Sequence, residues 1–419
     1  MNLVHFLNKP VSSCCQIKSI PALNIIYKKP FFYAVMFLIF LFILLQMWPF
    51  LTGIKVDDTS YYTTAHGILD NINIYDETEF YALAAKLFGQ SIVVWPYTYP
   101  PLFAQILLPL CLLQYQTFTA IWMIFNIIAG FACIFLTFKL ILREKQNNYL
   151  LLSLIVLFCL ESQPFKLNIL YGQAHFIVYL LIILSLLFFR KQEFWLSSLF
   201  LSLATFIKIF PVIFMLYFLL KKDFKYIKNF ILSSLAILFL SIVAFGSKMW
   251  IDYIFYFSDI FLKSKRTLFS LHFNTYQNNK SLRAFLFNLI EPGAPGSSKL
   301  GLIYLIFIAL FLVLSILAIL RRKDDIIYAF SILGLVAVVL SPMSWRHHYV
   351  MVVLPFFYLL FQYLREKRYI PVLILCFLVA LIFYYPNWAG FPFSYMILFA
   401  LIGLLAMLLF EPRVKNVQA

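Results

Sequence analysis

The chain holds 17 acidic residues among 419, and six of them crowd one short window: Asp57, Asp58, Asp70, Asp76, Glu77 and Glu79. The window opens just after an apolar run that ends near Phe50, and the pair Asp57-Asp58 stands closest to that run. A carboxylate held at a membrane surface can act as a general base, taking the proton of an attacking hydroxyl. The same pair also suits a solvated acidic loop, because acidic residues contribute little to membrane orientation. One carboxylate is enough for the base. Two adjacent ones point in different directions on any regular backbone.

Cations that could serve the same chemistry lie far away in sequence. Lys208 sits inside an apolar run, in "KIFP" (Lys208 to Pro211). An ammonium at membrane depth costs about 2.5–3.5 kcal/mol on insertion scales, so it either snorkels to the interface or lines a polar cavity. In a cavity it is suited to a phosphate. "SWRHHY" sets Arg346, His347 and His348 beside Trp345. Arg346 falls at an outer boundary, against the orientation tendency, which favours an anionic partner. The two histidines suit either that partner or an interfacial position next to the tryptophan. As a metal signal they are weak, since no third ligand of suitable spacing accompanies them.

"LYGQAHF" adds Gln173 and His175, and "YQNNKSLRAF" adds further amides; such groups bind sugar hydroxyls and are equally ordinary loop residues. No P-loop, glycine-rich dinucleotide pattern or H-E-x-x-H is present, so nucleotide chemistry has no support. The cysteines, Cys14, Cys15, Cys111, Cys133, Cys159 and Cys376, form no C-x-x-C pair and suggest neither a zinc site nor a disulfide framework.

The elements that must carry these residues are membrane helices. The chain is 63% hydrophobic and 12% charged, with a mean hydropathy of +0.91, more apolar surface than a soluble domain can hide. The net charge of +16 comes from clusters between apolar runs, which set orientation rather than bind nucleic acid. Spans are expected near Phe31 to Phe50, Thr117 to Leu142, Tyr149 to Ile169, His175 to Phe189, Tyr226 to Ala244, Leu300 to Leu320, Ile326 to Leu340, Tyr349 to Leu364, Ile370 to Tyr385 and Pro392 to Phe410. The first is preceded by Lys18, Lys28 and Lys29 and reads as a retained anchor.

Placing every basic cluster on the cytoplasmic side leaves two exceptions. The proline-broken stretch Trp95 to Gln116 must return to the side it left. Phe194 to Leu220 must be two short helices meeting at Lys208 to Pro211. The expectation is a polytopic all-α protein of about 12 membrane helices. It comprises a cytoplasmic segment 1–30, a single membrane domain 31–410 with outer loops 52–116 and 246–299, and a cytoplasmic tail 411–419. The acidic window, His175, Lys208 and the His347-His348 pair then share one outer face.

With these residues in hand, the chain resembles the polyprenol-phosphate-dependent glycosyltransferases of family 87, which have the GT-C membrane fold. The family's outer-loop pattern reads here as Asp57, Tyr61-Tyr62, Ala65 and Ile74-Tyr75, and its Y-x-Y-P-P-L as Tyr97 to Leu102. Its Gly-Gln matches Gly172-Gln173, its Lys-x-x-Pro matches Lys208 to Pro211, and its Ser-x-x-Trp-x-x-His matches Ser341 to His348 loosely. Ile209 stands where the family often has proline, and its Asn-Gln-Ser appears only as a scrambled "QNNKS". The ordered set covers roughly residues 31 to 390.

The resemblance implies a polyprenyl-phosphate-linked, mannose-like sugar donor and a lipid or glycan acceptor. It implies inversion at the sugar, with Asp57 or Asp58 as general base. Lys208, Arg346, His347 and His348 would hold the donor phosphate, and Tyr61, Tyr62, Tyr99, Gln173 and His175 would contact substrate. No metal or cofactor is implied. The site would face the periplasm or exterior from the inner (plasma) membrane. A transporter of lipid-linked sugars is the rival expectation, but no second copy of the Asp57 loop occurs in the later half, as paired repeats would require.

Overall fold

The computed structural model describes residues 29–89, 92, 94–141, 149–258, 279–290, 298–385 and 391–412. Residues 1–28 and 413–419, which hold most of both expected cytoplasmic segments, and 259–278 of the second outer loop lie outside the described residues. The described chain is all α-helical with short 3-10 segments and no strand. The helices are α1 (Lys29–Met47), α2 (Val56–Leu69), α3 (Glu77–Phe88), α4 (Pro101–Cys111), α5 (Tyr115–Ile141), α6 (Tyr149–Leu160), α7 (Gln163–Leu170), α8 (His175–Arg190) and α9 (Phe194–Ile207). They continue as α10 (Met215–Lys221), α11 (Phe224–Phe245), α12 (Lys248–Phe257), α13 (Leu282–Ile290), α14 (Ser298–Arg321), α15 (Ile326–Val339), α16 (Val353–Arg365), α17 (Tyr369–Tyr384) and α18 (Met396–Leu409).

Among the described residues, five helical stretches are long and apolar enough to cross a membrane: Tyr33–Phe50, Tyr115–Ile141, Phe224–Phe245, Leu300–Arg321 and Arg346–Arg365. Shorter apolar helices, among them α8, α9, α15 and α17, pack between them. The outward faces are greasy. Leu45, Phe239, Leu240, Leu305 and Leu373 are each more than half exposed. Leaving one such side chain in water rather than burying it costs about 1.5–3 kcal/mol, so lipid is the solvent these faces fit. The chain is an all-α polytopic membrane protein.

One expected span is corrected. Tyr149 to Ile169 is not a single rod: α6 and α7 are bent by 56° at Glu161-Ser162. Pro164 lies in the first turn of α7, where its missing N–H is harmless, whereas a continuous helix would leave the ladder broken there. The expected break at Lys208 is present. The backbone of Lys208 is extended (φ −139°, ψ 134°) after α9, and Pro211 lies in the first turn of the 3-10 segment Phe210–Phe214.

The acidic window folds into two short helices. Lys55 caps α2 in an extended conformation, with Asp57 and Asp58 in the first turn, where the positive end of the helix dipole favours carboxylates. Asp76 caps α3 by accepting from the N–H groups of Thr78 and Glu79. Much of the acidity of this loop therefore has local structural employment, and Asp57 and Asp58 remain to be explained.

Candidate active site

Asp57 and Asp58 are neighbours, yet they face different surroundings. Successive residues on a helix diverge by about 100°, and α2 lies between a cavity and the body of the bundle. Asp57 lines the cavity, a space of about 210 Å³. Its backbone N–H, one of the orphan donors of a helix start, is given to Tyr171 O at 3.0 Å. Its carboxylate accepts from the amide of Gln173. Asp58 does not line the cavity and is completely buried. It accepts from Tyr115 Oη at 2.7 Å and from Thr119 Oγ1, with Lys55 Nζ 3.6 Å away.

Burial drives the titration of both acids. It raises the Asp57 carboxyl above the ordinary carboxylate range, against the opposing pull of the Lys208 ammonium and the Gln173 hydrogen bond. It pushes Asp58 up to about 6, against Lys55, Thr119 and Tyr115.

Gln173 is oriented from behind. Tyr61 Oη donates to Tyr99 Oη at 3.2 Å, and Tyr99 Oη donates to Gln173 Oε1 at 3.3 Å. That occupies the amide oxygen and leaves the NH₂ for Asp57. His175 Nδ1 lies 3.2 Å from the same oxygen. Lys208 Nζ is 2.9 Å from His175 Nδ1 and 3.1 Å from Nε2. With a proton on Nδ1, that nitrogen donates to Gln173 and Nε2 accepts from the ammonium, while the Nζ–Nδ1 approach sets two donors together. Lys208 Nζ also stands 4.5 Å from the centre of the Tyr99 ring, a cation–π position. The break after α9 delivers this ammonium to the cavity wall.

The sequence hid one neighbour. His175 joins the His347-His348 pair, with ring centroids at 5.0 and 4.4 Å, so the pair does have a third imidazole beside it, contrary to the expectation from spacing. The ligand atoms of the three lie within 4.8 Å of one another. The Lys208 ammonium stands against the same His175 ring and would compete with a metal ion for its nitrogens. The His347 backbone is held by Asn168 Nδ2, which donates to its carbonyl at 2.8 Å. Asn279 and Lys280, from the end of the scrambled "QNNKS", pack against the same turn: Ser344 N–H donates to Asn279 Oδ1 at 3.0 Å and Lys280 N–H to Ser344 O at 2.9 Å.

Of the residues singled out by sequence, Asp57, Tyr99, Gln173, His175, Lys208, His347 and His348 line the one cavity. Tyr61 supports Tyr99 from behind. Tyr62 is elsewhere, donating to Leu113 O at 2.9 Å. Arg346 is buried without lining the cavity, within electrostatic reach of Tyr171 and Tyr349. Sequence reasoning missed Trp95, which lines the cavity with its ring 5.7 Å from that of Trp345, and Ser60, one turn beyond Asp57 in the same lining. Period-3.6 spacing from Asp57 was the available signal for Ser60.

The cavity therefore sets a carboxylate against an ammonium and three imidazoles, with an aromatic wall opposite: equipment for activating a hydroxyl beside a bound anion. A model of glycosyltransferase family 87 matches residues 97–342, and the chain belongs to that family. It is accordingly a membrane glycosyltransferase. The match takes in Tyr99, Gln173, His175 and Lys208, and ends before Arg346 and the two histidines; Asp57 and Asp58 lie before it. It is shorter than the stretch 31 to 390 over which the motifs suggested resemblance. Comparison with curated proteins finds no match.

Proposed function

We propose that the protein transfers a mannose-like hexose from a polyprenyl-phosphate donor to a hydroxyl of a lipid or glycan acceptor. The reaction takes place at the non-cytosolic face of the inner membrane. Asp57 takes the acceptor proton as the hydroxyl oxygen bonds to the sugar's anomeric carbon and inverts it. The bond from that carbon to the phosphate oxygen breaks, and the polyprenyl phosphate leaves with the electron pair. Lys208, with His175, His347 and His348, stabilises the charge that develops on the phosphate. Arg346 belongs to the support of this wall rather than to the contact set. Ile209, Phe210, Tyr253 and Phe257 give the cavity an apolar side suited to an isoprenoid.

The observation that carries this reading is the single cavity wall shared by the Asp57 carboxylate and the Lys208 ammonium, bridged by Gln173 and His175. Membership of a glycosyltransferase family weighs against a transporter. The test uses the full chain in proteoliposomes with radiolabelled polyprenyl-phosphate hexoses and a membrane lipid extract as acceptor. Label should pass to the extract, and Asp57→Asn should cut the rate by about 10²–10⁴-fold, the usual contribution of a general base, while the protein stays folded. Full activity in that variant would remove Asp57 from the role.

A further inference from the structure

We propose that Asp58 is a positioning residue: it clamps the start of α2 to α5 and to the turn at Gly172, and so fixes where Asp57 meets Gln173. The inference rests on Asp57 being the base. Asp58 has no access to the cavity, and a base must reach the proton it removes. Its oxygens are instead spent on α5, through Tyr115 Oη at 2.7 Å and Thr119 Oγ1. Lys55, the residue that caps α2, closes the ring. Its backbone N–H donates to Tyr115 Oη at 3.1 Å, and its ammonium donates to Thr119 Oγ1.

The other jaw of the clamp is the turn between α7 and α8. Gly172 has φ +70°, and a Cβ there would stand 2.9 Å from Asp58 Cβ, so both its conformation and its close approach require glycine. Trp122, also on α5, donates its indole N–H to Gly172 O at 2.7 Å. The residues flanking Gly172 touch Asp57: Tyr171 through its carbonyl, Gln173 through its amide. Asp58 against Gly172 and Asp57 against Gln173 are thus two adjacent rungs between the same two segments. Displacing one rung displaces the other.

The experiment measures transfer in the proteoliposome assay for Asp58→Asn, Gly172→Ala and the double variant, with thermal unfolding recorded for each. A shift of about 1 Å at a catalytic group can cost 10²-fold. Each single variant should therefore lose about 10²-fold in kcat with both KM values unchanged. The double should lose no more than either, since both disturb one contact. If Asp58→Asn does not fold, Tyr115→Phe removes one donor and should show the same kcat-only loss at smaller amplitude. Additive losses, or unchanged kcat per folded molecule, overturn the clamp. Complete loss in Asp58→Asn with full activity in Asp57→Asn overturns the assignment of the base itself and makes Asp58 the proton acceptor.

Discussion

Two polar clusters sit towards the two ends of the segment Arg346–Arg365, with His347 and His348 at one and Gln362 and Tyr363 at the other, about 23 Å apart at the helical rise. At the far end, Glu411 is buried and its carboxylate is fully engaged. It accepts from Gln362 Nε2 at 3.0 Å, Tyr363 Oη at 2.7 Å and Arg368. At the near end, Asp57 is buried to a similar degree, and its carboxylate has one side-chain hydrogen bond, from Gln173, beside an open cavity. The first arrangement is what a folded chain does with a charge it merely has to house. The second leaves acceptor capacity facing a space, which costs stability and is retained where the space has an occupant.

After the loss expected of Asp57→Asn, removing the cation from the cavity end gives the largest effect of this contrast. Lys208→Ala should lower kcat by about 10²-fold, the cost of losing one donor to a developing charge, with weaker saturation by the polyprenyl-phosphate hexose. Unchanged donor kinetics would mean that Lys208 only accompanies the cavity.

Acidity gives the next. A base must be ionised, and burial raises the Asp57 carboxyl, so transfer should fall as pH drops through a value above the ordinary carboxylate pKa of about 3.9. Below that limb the rate should change about tenfold per pH unit. An acid limb in the ordinary range would show that Asp57 is more hydrated than its burial implies.

The smallest effect belongs to the far end. Glu411→Gln keeps the shape and weakens hydrogen bonds to a charge, costing about 1 kcal/mol. The unfolding temperature should drop while transfer per folded molecule stays the same. A loss of transfer would join the two clusters functionally and break the contrast.

Much of this is legible in the sequence. Proline announces a broken ladder at Lys208 to Pro211, because the chemistry is local. Pro164, directly after the polar Glu161-Ser162-Gln163, announces the bend at Glu161-Ser162 equally well, but the long apolar run that ends at Leu160 invites a single span across it. Charge scarcity made the Asp57 window visible. What could not be read was direction. Asp57 and Asp58 are one residue apart and the same side chain, and only the packing of α2 against α5 decides which of them sees the cavity. Likewise His175 and the His347-His348 pair are remote in sequence, and their meeting depends on the 3-10 segment Arg346–Val352 lying across the start of α8. Arg346 looked like an anion ligand by its boundary position; one step along that segment turns it out of the lining.

The helix that ends at Lys208 has 14 residues and is about 21 Å long at 1.5 Å per residue, against a hydrocarbon slab of about 30 Å. On the proposed orientation, with the helix upright from the cytosolic boundary, the remaining thickness of about 9 Å would be made up by water descending to the ammonium or by a locally thinner bilayer. In either case a phosphate tethered to a long hydrocarbon would meet its counter-ion below the headgroup plane, without dragging its tail into the aqueous phase. Catalysis would then proceed with each half of an amphiphile still in the solvent it prefers.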